Sequence, residues 1–290
     1  MSVINKTCAS FSECKEEKVL LLTKKGYPIR ECKKCGHRFT QLQQVEGHLE
    51  EVYSDDYFFG GKEGYPGYLL EKDLLYKSGL NYAKILSKYM KPGKVLDVGC
   101  AAGFILKGFE QSGWKCYGVE PNDTMASYGR KELGLDIQTC GLETYESNEK
   151  FDLVNLIQVV GSLYDPDKAL SIINGLLNKD GLVMVESWDM KSIAARIMGK
   201  NWHEYCPPSV ITWFSDKTLE QMFNYYGFEL IAKGRPVKRI NINHGISLFD
   251  ESFPKFPLKK NILKFFSKTI GKYNMRYPPV DLKWYLFKKL

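Results

Sequence analysis

Ten residues, Val95-Leu96-Asp97-Val98-Gly99-Cys100-Ala101-Ala102-Gly103-Phe104, with Glu120 following 23 positions after Asp97, constrain this chain more than any other segment. An apolar run, a glycine turn and a helix start, then a second apolar run ending at Glu120-Pro121, predict a βαβ unit with a ligand site at its turn. Small residues there let the backbone approach a ligand at the helix N-terminus. A dinucleotide fingerprint spaces its glycines as G-x-G-x-x-G to seat a pyrophosphate, whereas this pattern is Asp97-x-Gly99-x-x-x-Gly103 with an acid at the strand end. That acid repels a pyrophosphate and suits a cationic amino group. Glu120 is placed to accept two hydrogen bonds from a ribose diol, each worth roughly 1.5–3 kcal/mol when charge-assisted. A carboxylate closing an apolar strand has little other employment.

Beyond this unit the pattern keeps alternating. Strands are expected at 94–98, 115–120, 135–139, 151–159 and 181–187, and helices from 103, at 122–133 and at 166–178. Strands separated by helices imply a parallel sheet covered on both faces. A helix at Thr218–Tyr226, stopped by Gly227, leads to a strand from Phe228, and Lys283–Lys288 reads as a last strand.

The segment Val95–Phe104 with Glu120 resembles motif I and the second-strand acid of class I S-adenosylmethionine-dependent methyltransferases. Phe151–Val160 with Leu163–Leu170 resembles the fourth strand and following helix of the small-molecule branch, and Leu176–Glu186 its helix, turn and fifth strand. The likeness runs from residue 45 to 235 in consistent order. It implies an α/β, Rossmann-like, doubly wound sheet of seven strands, mostly parallel with an antiparallel last strand, and S-adenosyl-L-methionine as cofactor. It further implies that Gly99, Ala101 and Gly103, in one turn with Cys100 and Phe104, face the methionine moiety. Asp97 would meet its amino group, Glu120 the ribose, Pro121 and Leu142 the adenine, and Gln158 the junction of cofactor and acceptor.

Four domains or segments are expected: 1–45, 46–92, 93–244 and 245–290. The first holds Cys8, Cys14, Cys32 and Cys35, and Cys32-Lys33-Lys34-Cys35-Gly36-His37 has the C-x-x-C-G form of a zinc knuckle. Cys8 and Cys14, with five residues between them, supply the second pair of a structural Zn2+ site in a zinc-ribbon-like module, and His37 is an alternative to either of them. Unligated thiols are the other reading. In the second segment, aromatic residues broken by Gly60-Gly61 and Gly64 resemble the lid of this enzyme branch, with Tyr57 and Tyr68 as cofactor contacts. Aromatic faces attract a sulfonium and exclude water. Packing on the core is the competing role for each ring.

Methyl transfer from a sulfonium is an in-line displacement, so alignment matters most, and a base is needed only for a hydroxyl or acidic carbon acceptor. Related small-molecule enzymes carry Glu-His after the fourth strand, where this chain has Gly161-Ser162, and a histidine after a later Pro-Pro, where it has Val210. The remaining candidates are His203, Tyr205, Glu186 and, in the C-terminal insertion, His244. Enzymes that methylate exocyclic base amines place Asn/Asp-Pro-Pro-aromatic at the end of the fourth strand. Asn155-Leu156-Ile157-Gln158 stands there instead, so a small-molecule acceptor, a sugar nucleotide or natural-product intermediate accepting at oxygen or carbon, is expected ahead of RNA. A cofactor-binding pseudoenzyme serving as an assembly partner is the alternative of a different class.

Charge supports the small-molecule expectation. Of the net +7, residues 251–290 contribute +8, leaving the body near neutral, without the basic footprint of a nucleic-acid binder. Leu258, Ile262, Phe265, Phe266 and Ile270 recur at helical spacing among lysines. They fit a core-packed helix ahead of one lying peripherally on an anionic membrane. With no run of eighteen apolar residues and no signal-like N-terminus, a cytoplasmic protein is expected.

Overall fold

The computed structural model describes residues 17–40, 42, 47–60, 64–65, 67–237, 239–242, 274–277 and 280–290. Cys8, Cys14, His244 and the amphipathic stretch from Leu258 to Ile270 therefore lie outside the described residues.

The centre is a seven-stranded sheet built from β4 (Lys94–Val98), β5 (Lys115–Glu120), β6 (Asp136–Thr139), β7 (Phe151–Ile157), β8 (Leu177–Trp188), β10 (Phe228–Gly234) and β13 (Leu282–Lys289). Their order across the sheet is β10-β13-β8-β7-β4-β5-β6. The β4/β5, β4/β7, β5/β6 and β7/β8 pairs are parallel, and β13 runs antiparallel to both β8 and β10. This is the expected mostly parallel sheet with an antiparallel last strand. Strand alternation sorts the core into two layers. Trp284 and Leu286 of β13 face α3 (Lys72–Leu86), α4 (Phe104–Gln111) and α5 (Asp123–Leu133), while Tyr285 and Phe287 face α6 (Pro166–Leu176) and α8 (Asp216–Tyr225).

Local chemistry explains where the helices begin. Asn122 caps α5 by accepting from the Met125 amide at 2.8 Å, and the helix ends at left-handed Gly134. Asp165 caps α6 ahead of Pro166, and Ser215 with Thr218 forms a capping box on α8. By contrast, α4 starts at Gly103, with φ +80° and no side-chain cap, which leaves its first turn facing the site.

The N-terminal segment forms β1 (Lys18–Lys24), β2 (Tyr27–Cys32) and β3 (Arg38–Thr40), an antiparallel meander. The sequence reading treats this segment as separate; the structure joins it to the body, because β3 pairs with β9 (Thr212–Trp213) in the loop before α8. Cys32 ends β2, and the turn after it is held by Gly36 N–H donating to the Cys32 carbonyl at 2.9 Å and Cys32 N–H to the His37 carbonyl at 3.0 Å. No group of three or more His, Cys, Asp or Glu able to hold a metal occurs among the described residues. His37 itself is fully buried against Phe39 and Phe214, and burial pulls its pKa down to about 3.

The C-terminal insertion falls between β10 and β13. Among its described residues, β12 (Asn274–Arg276) pairs antiparallel with β11 (Arg239–Asn241), which lies just ahead of the expected boundary at 245. Two short helices, α1 (His48–Val52) and α2 (Asp55–Phe59), make up the segment before α3, and α7 (Ile193–Met198) follows β8. Among the described residues no helix is long and apolar enough to cross a membrane.

Candidate active site

From β4 the chain runs outward through β5 and β6 on one side and then crosses back to β7 on the other, so a crevice opens beyond the C-terminal end of β4. There the structure has a cleft of about 1270 Å³. Its floor is the turn after β4, where Gly99 (φ +65°) and Ala101 (φ +47°) line the cleft; Gly103 (φ +80°), expected to face the ligand, does not line it and instead packs toward Leu135 and Ile137. At Gly99 a Cβ would lie 2.8 Å from Cγ2 of Val159, which also lines the cleft, so a side chain there would press on the wall.

Two carboxylates flank this turn. Asp97 and Glu120 are both almost fully buried, and both line the cleft. Glu120 Oε2 accepts from the Ala101 amide at 2.8 Å, and Oε1 from the Asn122 amide at 2.9 Å. The sequence reading gave Glu120 no structural work, yet it ties the turn to the start of α5. A carboxylate has about four acceptor positions, so one on each oxygen remains for a ligand. Burial raises the Glu120 pKa to about 7 against the lowering effect of those two amides. Burial likewise raises Asp97 to about 7, with Asn155 lowering it and the Glu120 charge adding to the rise.

The other residues expected to touch a cofactor divide as follows. Pro121, Leu142, Cys100, Gln158, Tyr57 and Tyr68 line the same cleft. Phe104 does not; it stacks under Tyr68, ring centroids 5.7 Å apart, and supports it. Gln158 adopts φ +60°, a conformation costly for a residue with a side chain. It is held by its amide donating to the Glu186 carbonyl at 2.9 Å and its Nε2 donating to Glu186 Oε1 at 2.9 Å. The aromatic segment before α3 is pinned over the cleft, since Asn122 Nδ2 donates to the Tyr53 carbonyl at 2.9 Å and Tyr53 donates to the Ser209 carbonyl at 2.8 Å.

Of the candidate bases, His203 lines the cleft, with Nε2 3.7 Å from Oε1 of Glu204 and its ring edge-on to Trp188 at 4.8 Å. Tyr205 points away: its hydroxyl accepts from Arg38 at 2.6 Å, and its ring packs on Trp202 and Trp213. Glu186 is fully buried beneath the cleft, accepting from the Tyr82 hydroxyl and from Gln158. Among the cleft residues that escaped the sequence reading are Trp188, Glu204 and Tyr277, which come from distant segments and sit in no motif.

Comparison with known proteins agrees with this geometry. A family profile described as a methyltransferase domain matches residues 73–233. A curated relative, the ubiquinone biosynthesis O-methyltransferase of Bradyrhizobium diazoefficiens, is 25% identical over 140 residues, which cover 46% of this chain and 55% of the relative. The chain thus spans about half the length of the first curated relatives it matches. Among solved structures, a SAM-dependent methyltransferase from Thermotoga maritima superposes with TM-score 0.52 at 19% identity, covering 77% of this chain and 93% of that one. Magnesium protoporphyrin IX methyltransferase from Synechocystis, solved with bound SAH, gives 0.50 at 12% identity, covering 84% and 94%. At such identities the likeness establishes a common fold.

Proposed function

This chain belongs to the methyltransferase domain family, and from that premise we propose that it moves a methyl group from S-adenosylmethionine to a small-molecule biosynthetic intermediate. The observation that carries the reading is the pair of buried carboxylates, Asp97 and Glu120, facing one cleft across a glycine turn. Two such groups, each raised to about 7 by burial, are costly without a partner bearing cationic or hydroxyl donors. The cofactor offers both: an amino group for Asp97 and a ribose diol for the open acceptor positions of Glu120. Leu142 and Pro121 supply an apolar place for the adenine, and Tyr57 and Tyr68 lie over the turn as a lid.

When bound, the cofactor supplies an activated methyl group on sulfur. The protein then has to align the acceptor and exclude water, the work we assign to Gln158, fixed by Glu186, and to the lid. His203 is the proposed proton acceptor for a hydroxyl or carbon nucleophile, with Glu204 stabilising the imidazolium. Tyr205 and Glu186 act at one remove, by packing and by positioning. In the N-terminal segment we retain a structural Zn2+ held by Cys32 and Cys35 with Cys8 and Cys14, supported by the glycine-bearing turn after Cys32. Metal analysis before and after chelation, with the melting temperature of each sample, tests it.

Calorimetric titration with S-adenosylhomocysteine tests the main reading, and failure of the folded wild type to bind would remove it. Detection of S-adenosylhomocysteine formation with candidate acceptors separates an enzyme from a pseudoenzyme.

A pH dependence follows. Asp97 and Glu120 must be ionised to accept the ligand's donors, so affinity is full above pH 7 and falls as pH drops through 7. S-adenosylhomocysteine should bind roughly tenfold to a hundredfold more weakly at pH 6 than at pH 8. Proton release near pH 7 should appear as a binding enthalpy that varies with the buffer. The free protein has the opposite sign: with folded pKa values above the unfolded ones, these groups favour the fold most below about pH 4 and lose that contribution as pH rises through 7. A pH-independent affinity would contradict the assignment of both carboxylates.

A further inference from the structure

The acceptor end of the cleft is walled by three segments far apart in sequence. Trp188 closes β8, His203 and Glu204 lie in the loop after α7, and Tyr277 follows β12. The Trp188 ring is their hub, meeting His203 edge-on at 4.8 Å and Tyr277 edge-on at 5.5 Å. Behind Tyr277, the fully buried Asp281 accepts its hydroxyl on Oδ1 at 3.0 Å and the Trp202 indole on Oδ2 at 3.2 Å. That bond fixes the Tyr277 ring and, because the hydroxyl donates, enriches the ring in electron density, making its face more attractive to a cation. The Glu204 carboxylate lines the same end of the cleft, its Oε1 3.7 Å from Nε2 of His203, whose ring packs on Trp188.

Charge balance along the cleft points the same way. Among the described residues that line it, eight are Asp or Glu, one is a lysine, Lys25, and none is arginine. Phosphate and diphosphate groups are held by guanidinium or ammonium donors, and here they would meet carboxylates instead. Aromatic faces around a partly desolvated carboxylate favour a cation, each ring contributing on the order of 0.5–2 kcal/mol.

We propose that the acceptor is a phosphate-free amine, whose protonated amino group docks against the Glu204 carboxylate beside the packed rings of Trp188 and Tyr277. This deepens the methyltransferase reading and rests on it. The amino group serves as the handle by which the acceptor is held. A sugar nucleotide is then the wrong class of acceptor, and an amino sugar or arylalkylamine the right one.

Matched probes decide the matter. Benzylamine with benzyl alcohol, glucosamine with glucose, and UDP-glucose would be titrated into the full chain saturated with S-adenosylhomocysteine, with binding read by ligand-observed NMR. Each amine should bind roughly tenfold or more tightly than its neutral counterpart, and UDP-glucose weakest of all. Glu204→Gln should erase the preference while S-adenosylhomocysteine still binds; should that variant not fold, Tyr277→Leu should weaken amine binding through loss of the ring. Equal binding of amine and alcohol, no amine binding, or tighter binding of UDP-glucose would overturn the proposal. Failure of wild type to bind S-adenosylhomocysteine would overturn the methyltransferase reading instead, whatever the amines do.

Discussion

Glu120→Ala is expected to weaken S-adenosylhomocysteine binding by at least about a hundredfold while the protein stays folded. Two hydrogen bonds from a diol to a buried carboxylate are worth roughly 1.5–3 kcal/mol each, and every 1.4 kcal/mol is a factor of ten in affinity. The variant also removes the acceptor for the Ala101 and Asn122 amides, so the turn after β4 loses the tie that presents it to the ligand. Two effects on the free protein oppose each other. The two amides lose their partner, but a carboxylate whose pKa burial has raised to about 7 is no longer held in the fold. Because the amides border a cleft that water can enter, we expect the melting temperature to stay within a few degrees of wild type. Calorimetry with a melting curve on the same sample checks both parts. Near wild-type affinity in the alanine variant would show that Glu120 serves only to tie the turn to α5.

How much of this was legible beforehand depended on whether a residue's role is carried by its neighbours in sequence. Asp97, Gly99, Gly103 and Glu120 belong to one βαβ unit, where chain geometry alone brings a turn and a following strand end together, and the spacing announced them. The parallel sheet followed from the alternation of strand and helix, and the antiparallel β13 from the resemblance to the methyltransferase family. Trp188, Glu204 and Tyr277 converge only because three loops meet at one end of the sheet, and nothing local marks them. Sequence adjacency also misled: His203 and Tyr205 looked like one cluster, but the chain between them turns so that His203 and Glu204 face the cleft while Tyr205 faces Arg38. Glu186 looked like a strand-tip acid open to substrate, and Tyr82 and Gln158 occupy it instead. Two-residue β9 is too short to carry any period, so the join between β3 and the body could not be foreseen.

Gly79 and Gly108 show the same limit in a place where its consequence is large. Both sit inside helices, where glycine costs about 1 kcal/mol relative to alanine, and replacing either in a free helix would stabilise it. In the structure they face each other where α3 crosses α4. A Cβ on Gly79 would lie 2.1 Å from the Ile105 carbonyl oxygen, and one on Gly108 would lie 2.5 Å from the Tyr76 carbonyl oxygen and 2.7 Å from the Leu80 amide nitrogen. These obstacles are backbone atoms, so no rotamer change relieves them and the helices must separate. Separation would move Tyr82 on α3 from Glu186 and disturb the start of α4 beside the glycine turn. Gly108→Ala is therefore expected to cost about 3 kcal/mol or more, lowering the melting temperature by about 6–12 °C at 2–4 °C per kcal/mol. Gly175 near the end of α6 supplies the control, because a Cβ there would meet nothing within 4 Å. Gly175→Ala should raise stability by roughly 0.5–1 kcal/mol through helix propensity and the less flexible unfolded chain. Opposite signs in parallel denaturation curves would establish that the α3–α4 crossing is closed to a single methyl group. A stabilising Gly108→Ala would mean that the helices stand farther apart, and that Tyr82 is not held over Glu186 by this contact.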